Sequence, residues 1–595
     1  MKAFGLLLVV CATSAAQDLA VTYGERGIQT LQYNGVTLAD LGANPGDAFS
    51  IRHMRVTDLK GNVQSQYSWG DNYKTRAFDT ATRTVTTVYD WGSIAVQFSP
   101  SRNTLNVLVT ETNNARSGYI LEGAAIYLVN FRFPKLPQRW ASVSYPQVAY
   151  NTFGPSVVTG DWGSGEVTAV DPSVTDKLYT GFLNDGTGKP NYYPVASTIA
   201  PEGLPSFAPR YSVPVPPGRS YRFRLAMRFG PSGTAHAKVA ADVYTAWARA
   251  YPLLPTVKNW DRRPMGTVFL ATSPAGGGDV TRPGGCGVNS GNPRNYFRDC
   301  KINVNTAAGL ESFQTKVLNL GQQIVTVAQK HGWQGAITWD IEGEEWPQTT
   351  SYVCSPEQIA QIAPEMESVV SGQTGELAQY NGQKLDAAYF GIQTAGGLKV
   401  GLCTRPQQFV LKANGIASQG FVSDAEAAAL LNAKMRFANS HWGATMFYAD
   451  TFVHPDGGNL EPAYFRQLMQ ANPHYLLMPE INSQNYAVPA SFQYAAPFYN
   501  FEYHTDLGTP ANVPDVYNFY PSRHVGGSVV GPFGVNLIND VNAGVLAQHR
   551  AALIQAAGHG DIMLGHADYD QANNTAIEQI YKDAQAKPGA STSGK

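Results

Sequence analysis

The stretch Phe447-Tyr448-Ala449-Asp450-Thr451-Phe452 decides how the rest of the chain is read. It is an apolar run of strand length that reaches one carboxylate, then breaks into His454-Pro455-Asp456-Gly457-Gly458. An apolar run followed by Gly, Pro and Asp punctuation reads as a buried strand emptying into a loop. The same plan recurs on both sides. Upstream, Gly335 to Asp340 is followed by Glu342, Glu344 and Glu345. Downstream lie Tyr475 to Glu480 and Val535 to Asp540. Apolar strands with terminal acids, separated by helical stretches, predict a (β/α)8 TIM barrel with its acids at the C-terminal mouth.

Eight strands are expected: Gly266–Thr272, Ala336–Asp340, Leu398–Thr404, Ala444–Asp450, Tyr475–Glu480, Pro497–His504, Val535–Asp540 and Asp561–Ala567. Amphipathic stretches separate them. One runs from Ala307 to His331 and stops at Gly332; one opens at the capping signal Ser423-Asp-Ala-Glu; one covers Pro462–Ala471; one runs from Ala543 and stops at Gly558; a last one covers Asn573–Ala584. Another helical stretch is expected around Pro356–Val370.

The first part of the chain has a different period. Thr82–Tyr89, Ser93–Phe98, Thr104–Glu111 and Tyr221–Phe229 alternate apolar and polar residues and are rich in Val and Thr. Such runs, with turn signals at Asn34-Gly35 and Asn184-Asp185-Gly186, predict an antiparallel β-sandwich. The expected organisation is a signal peptide over 1–16, a β-sandwich over 17–235, a helical linker over 236–260, the barrel over 261–586 and a polar tail over 587–595. Lys2, the apolar Phe4–Cys11 and the small Ser14-Ala15-Ala16 are the signal features. They imply a secreted or periplasmic chain with no membrane attachment after cleavage. Four cysteines then remain, Cys286, Cys300, Cys354 and Cys403. An even count in an exported chain favours a disulfide bond, first between Cys286 and Cys300, whereas Cys403 inside a strand reads equally as a buried apolar residue.

With 43 Lys and Arg against 45 Asp and Glu, the chain has no basic excess for a nucleic-acid partner. No phosphate-cradling or dinucleotide glycine motif is present. The dispersed histidines lack the spacing of a zinc site, so no metal and no cofactor is expected.

The strand-end acids are Asp340, Asp450, Glu480, Glu502 and Asp540, with Asp568 just beyond the eighth strand. Each alone can cap a helix or pair with an arginine, but acids crowded into one mouth repel one another. The reaction that needs two carboxylates and no cofactor is glycoside hydrolysis, in which one acid protonates the leaving oxygen while the other attacks carbon or activates water. Trp346 and Tyr503 offer stacking faces for sugar rings.

An Asp closing the fourth strand (Tyr448-Ala-Asp450-Thr) and a Glu closing the fifth (Met478-Pro-Glu480) resemble the nucleophile and acid/base of retaining α-glycosidases. The α-amylase-like enzymes and the endo-α-N-acetylgalactosaminidases share that placement, and the latter also carry a β-sandwich before the barrel. The resemblance implies a retaining hydrolase of α-linked oligosaccharides, polysaccharides or glycoconjugates, with Asp450 as nucleophile and Glu480 as acid/base. The α-amylase pattern has an Arg two residues before the nucleophile, where this chain has Tyr448. In the α-galactosidase-like barrels the acid lies on the sixth strand, which would give the role to Glu502. Asp340, Glu342, Trp346, Arg405, Tyr448, Glu502, His504 and Asp540 complete the expected substrate-binding set. Arg405 would bind a substrate carboxylate or hold Asp450 ionised. Two other classes stay open: a non-catalytic carbohydrate-binding barrel, and a metal-dependent hydrolase using Asp340, Asp450 and histidines.

Overall fold

The computed structural model describes residues 19–586 with gaps, the longest being 133–147, 199–212, 232–258, 270–300, 340–370, 450–461 and 503–523. The signal-peptide, linker-helix and tail expectations fall outside the described residues, as do the Pro356–Val370 helix and Cys286, Cys300 and Cys354.

Before the barrel the chain builds antiparallel sheets, as its period-two runs predict. The runs expected from alternation appear as Thr84–Val88, Gly92–Ser101, Thr104–Asn113 and Ser220–Pro231 within one seven-stranded sheet. Along Thr104–Asn113 every second residue from Leu105 to Asn113 is buried. A second sheet, built on Ser50–Asp58 and Tyr119–Tyr127, faces it across a shared core that includes Val56, Val96, Val107, Val109 and Ile126. Asn34 and Gly35 take φ of 51° and 75°, closing the hairpin between Gly27–Tyr33 and Val36–Asp40 in two residues. Glu111 lies fully buried in this core and accepts a 2.9 Å hydrogen bond from the Thr198 hydroxyl, which in turn accepts from the Ala124 amide.

The later part of the chain forms a closed ring of eight parallel strands, β1 (Met265–Phe269), β2 (Gly335–Trp339), β3 (Lys399–Thr404), β4 (Met446–Ala449), β5 (Leu476–Ile481), β6 (Phe498–Glu502), β7 (Phe533–Leu537) and β8 (Ile562–His566). All eight lie where apolar runs were expected. The uninterrupted burial of β2, β4 and β8 follows from parallel strands being covered on both faces. Six helices accompany them among the described residues: α1 (Ala307–His331), α2 (Leu385–Ala395), α3 (Asp424–Trp442), α4 (Pro462–Ala471), α5 (Ala543–His559) and α6 (Ala572–Ala586).

Local chemistry sets the helix ends. Thr306 caps α1, and Gly332 ends it in the left-handed region at φ 67°. Ser423 and Glu426 form the reciprocal capping box that opens α3. The expected stop of α5 at Gly558 is corrected: the helix continues to His559, and Gly560, at φ 99°, is the residue that leaves helical space. Outside the strands, Trp333 packs against Gly266 and Gly565, where any larger residue would collide with its ring. The barrel core is a second cluster, separate from that of the sheets.

Candidate functional site

Which side of each strand faces the barrel interior follows from two contacts. The rings of Trp339 (β2) and Tyr448 (β4) lie 4.8 Å apart, although β3 runs between their strands. They meet across the interior. Thr338, the preceding residue, instead bonds its hydroxyl to that of Tyr389 on α2, outside the ring. Strand alternation then places Ile337 and Trp339, Gly401 and Cys403, Met446 and Tyr448, and Leu476 and Met478 on the interior face. A Cβ on Gly401 would sit 2.9 Å from Ile337 and 3.1 Å from the Met446 methyl, so glycine makes room for the methionine there.

Register gives the heights. The pairings run Thr267↔Ile337, Ile337↔Gly401, Gly401↔Met446 and Met446↔Leu476. They continue Glu480↔Asn500, Asn500↔Val535 and Val535↔Ile562. Carried once round the ring, this walk returns to β8 eight residues before His566, the actual partner of Thr267. A displacement of about eight residues over eight strands matches the usual tilt of this barrel, in which alternate strands contribute layers of four side chains. Level positions two strands apart therefore lie two residues beyond the paired ones. One interior layer includes Thr267 and Cys403. Above it, toward the strand C-termini, the even strands supply Trp339 and His566. Tyr448 lies in the layer beneath Thr267 and Cys403, buried and with its ring 4.8 Å from that of Trp339.

The described side chains of this end are well anchored. Arg405 follows β3 at 5% exposure, and its carbonyl accepts a 3.0 Å bond from the Lys434 ammonium on α3. His566 is 6% exposed. Its Nδ1 lies 3.1 Å from Asp568 Oδ1, and its ring stacks on Tyr569 at 4.5 Å. The Asn574 amide donates to the carbonyls of both His566 and Tyr569, tying the end of β8 to the first turn of α6. Asn574 and Lys434 went unremarked in the sequence, because nothing in a polar helix residue announces a carbonyl partner. Cys403 is buried on β3 and packs in the barrel core, which matches the apolar reading of that cysteine.

Of the other expected residues, Glu480 and Glu502 have their backbones in β5 and β6. Asp340, Glu342, Trp346, Asp450, His504 and Asp540 lie outside the described residues. At the opposite end of the strands, Lys399 reaches Asp261 at 3.2 Å and Gln334 at 2.8 Å, and sits 4.8 Å over the Trp260 ring. Burial pushes the Lys399 ammonium below its ordinary range, against the pull of Asp261. That cluster closes the floor of the barrel.

No protein-family model matches the chain, and no curated protein matches it by sequence. Among solved structures, the chain is similar to the α-N-acetylgalactosaminidase NagBb of Bifidobacterium bifidum, with a TM-score of 0.52 and 11% identity over 96% of this chain and 92% of that one. It is also similar to the GH36 α-galactosidase AgaB of Geobacillus stearothermophilus, with a TM-score of 0.40 and 10% identity over 90% and 75%. A GH31 sulfoquinovosidase from E. rectale gives a TM-score of 0.40 and 10% identity over 95% and 82%. At 11% identity, what is shared with the Bifidobacterium protein is the fold.

Proposed function

We propose that the chain is an exported glycoside hydrolase, acting on α-linked saccharides by a retaining two-carboxylate mechanism in a complete (β/α)8 barrel. The observation that carries this reading is the ring of parallel strands with acids in sequence at its C-terminal end. Glu480 and Glu502 have their backbones at the ends of β5 and β6, and Asp450 follows β4 directly in sequence. Acids at the ends of three consecutive strands are the kind of group that glycoside hydrolysis uses. The fold shared with an α-N-acetylgalactosaminidase supports the substrate class.

In this reading Asp450 attacks the anomeric carbon while Glu480 protonates the departing oxygen. Glu480, now a carboxylate, then takes a proton from the water that releases the sugar, so the configuration is retained. Arg405 directly follows β3, the neighbour of β4, and in this reading its fixed positive charge keeps Asp450 ionised. Asp340 and Asp540, which follow β2 and β7 in sequence, would serve the substrate.

A second assignment of the acid has its own support. Glu502 is the last residue of β6, the strand on which the α-galactosidase-like barrels carry their acid. Leaving-group chemistry separates the two. The variant lacking the true acid should lose about 10²–10⁴-fold on a substrate with a poor leaving group. It should keep most of its rate on an activated aryl glycoside that needs no proton. Glu480→Gln is expected to show that split, with Glu502→Gln losing both substrates alike; the reverse pattern moves the role to Glu502. Asp450→Asn, folded as the wild type, is expected to abolish turnover, and unchanged turnover would refute the mechanism. Tight saccharide binding without any hydrolysis by the wild type would make the barrel a binding protein instead. Activity lost on chelation would favour the metal-dependent alternative.

A further inference from the structure

We propose that the antiparallel half binds one structural water in its core, held by Glu111, Asn113 and Trp91 where polar side chains join the two sheets. The site is independent of the hydrolase reading. Glu111 and Asn113 stand two residues apart on one strand of the seven-stranded sheet. Both therefore project from the face of Leu105, Val107 and Val109 into the core. Each reaches the opposite sheet. Glu111 Oε1 accepts from the hydroxyl of Thr198, which directly follows the strand Asn191–Ser197. Asn113 Nδ2 donates at 2.7 Å to the carbonyls of Tyr119 and Val215.

Those bonds use one end of each group. Two carbonyl partners fix the Asn113 carboxamide, because the flipped form would set oxygen against oxygen, so Oδ1 is the end left over. Among the described residues nothing bonds to Glu111 Oε2 or Asn113 Oδ1, and Trp91 Nε1 is a third buried atom in that condition. Trp91 belongs to the same end of the core. It precedes Gly92, the cross-strand partner of Asn113, and its carbonyl accepts from the Asn114 amide. An unpaired polar atom in a core costs the free energy of its lost hydration, and an internal water makes about three hydrogen bonds to such atoms. The donors and acceptors match one. Burial pushes the Glu111 carboxyl up to about 8, so at neutral pH it keeps its proton and Oε2 donates. Trp91 Nε1 also donates, and Asn113 Oδ1 accepts. A water oxygen receives the two hydrogens and returns one of its own to Asn113. A metal cation does not suit the set, since two of the three groups present hydrogens to it.

The first experiment is a crystal structure of the full chain at a resolution that shows ordered solvent. A single water within about 3.2 Å of Glu111 Oε2, Asn113 Oδ1 and Trp91 Nε1 is expected. Solvent touching fewer than three of these atoms, or a protein group bonded to any of them, would overturn the proposal. Urea unfolding at pH 6 gives a second reading that needs no crystal. Trp91→Phe keeps a ring against Tyr89, on which the indole stacks at 5.2 Å, and removes one donor to the water. It should lower the folding equilibrium constant about fivefold, the worth of one neutral hydrogen bond. In a Glu111→Gln background the cost of Trp91→Phe should be unchanged, because the carboxamide still offers an acceptor to Thr198 and a donor to the water. In a Glu111→Met background the water has lost its main partner, and the cost should shrink by about threefold or more. Equal costs of Trp91→Phe in the wild-type and Glu111→Met backgrounds would show that no shared water links the two residues. If Glu111→Met does not fold, Trp91→Phe alone decides: no loss of stability refutes the site.

Discussion

Glu111 illustrates how one residue can be placed by its sequence and still hide its chemistry. The run Thr104-Leu-Asn-Val-Leu-Val-Thr-Glu111 puts Glu111 on the face of Leu105, Val107 and Val109, and that face is the core. Its partner Thr198 lies 87 residues away, a pairing no local pattern reveals. Burial pushes the Glu111 carboxyl up to about 8, partly offset by the Thr198 bond. In the unfolded chain the same group ionises near its ordinary value, about 4.3. Its contribution to stability is therefore fully present below that value and lost as pH rises toward 8. Glu111→Gln keeps an acceptor for Thr198 and cannot ionise. Urea unfolding at pH 4, 6 and 8.5 should show the wild type losing stability relative to this variant across that window, with the difference flat above it. A pH-independent difference would mean that Glu111 is charged in the folded chain. The same limit applies to the barrel interior: the apolar strands were legible, but the meeting of Trp339 and Tyr448 across the ring was not. It depends on register summed around the ring, and a linear reading contains no register.

At the scale of elements, the barrel strands were the most legible part of the chain. Strands buried on both faces must be apolar throughout, and loops must break them with Gly, Pro or Asp, so both signals are local. Helix α2 was missed because Leu385–Ala395 opens without a side-chain cap on Lys384 and is apolar over most of its surface, leaving little amphipathic contrast. Gly558 reads as a terminator in the sequence, although its neighbour but one, Gly560, has the positive φ. Two glycine substitutions test this account of local space. A Cβ on Gly266 would sit 2.3 Å from the Ala567 side chain and 2.9 Å from the Trp333 ring. Gly266→Ala should therefore destabilise the barrel by about 1–3 kcal/mol through overpacking. A Cβ on Gly558 meets nothing within 4 Å, and the residue lies inside α5. Gly558→Ala should stabilise by up to about 1 kcal/mol, the helix-propensity difference. Denaturant midpoints measure both, and a destabilising Gly558→Ala would restore Gly558 as the helix stop.

The whole molecule is more than two cores in series, because one segment of the barrel half belongs to the other half's sheet. The chain leaves β5 at Ile481, pairs as Ala487–Pro489 in parallel with Tyr150–Thr152 at the edge of the large antiparallel sheet, and enters β6 at Phe498. The connection between the strands of Glu480 and Glu502 is thus held by a sheet that shares its core with Val107 and Val109 of the facing sheet. No sequence pattern announced this, since a three-residue strand pairing with a partner over 300 residues away carries no period of its own. Its backbone bonds give it the stability of the sheet, so its amides should exchange with solvent only when that sheet opens. Hydrogen exchange on the full chain tests the assignment through two core truncations. Val109→Ala in the sheet core should accelerate exchange at Ala487 and Val488 together with that at Tyr150 and Asn151. Leu564→Ala in the barrel core should accelerate exchange along β8 and leave Ala487 and Val488 protected. If Leu564→Ala releases them and Val109→Ala does not, the segment is an ordinary barrel loop. If the expected pattern holds, weakening the sheet also slackens the link between β5 and β6, and kcat should fall in Val109→Ala before the barrel itself unfolds.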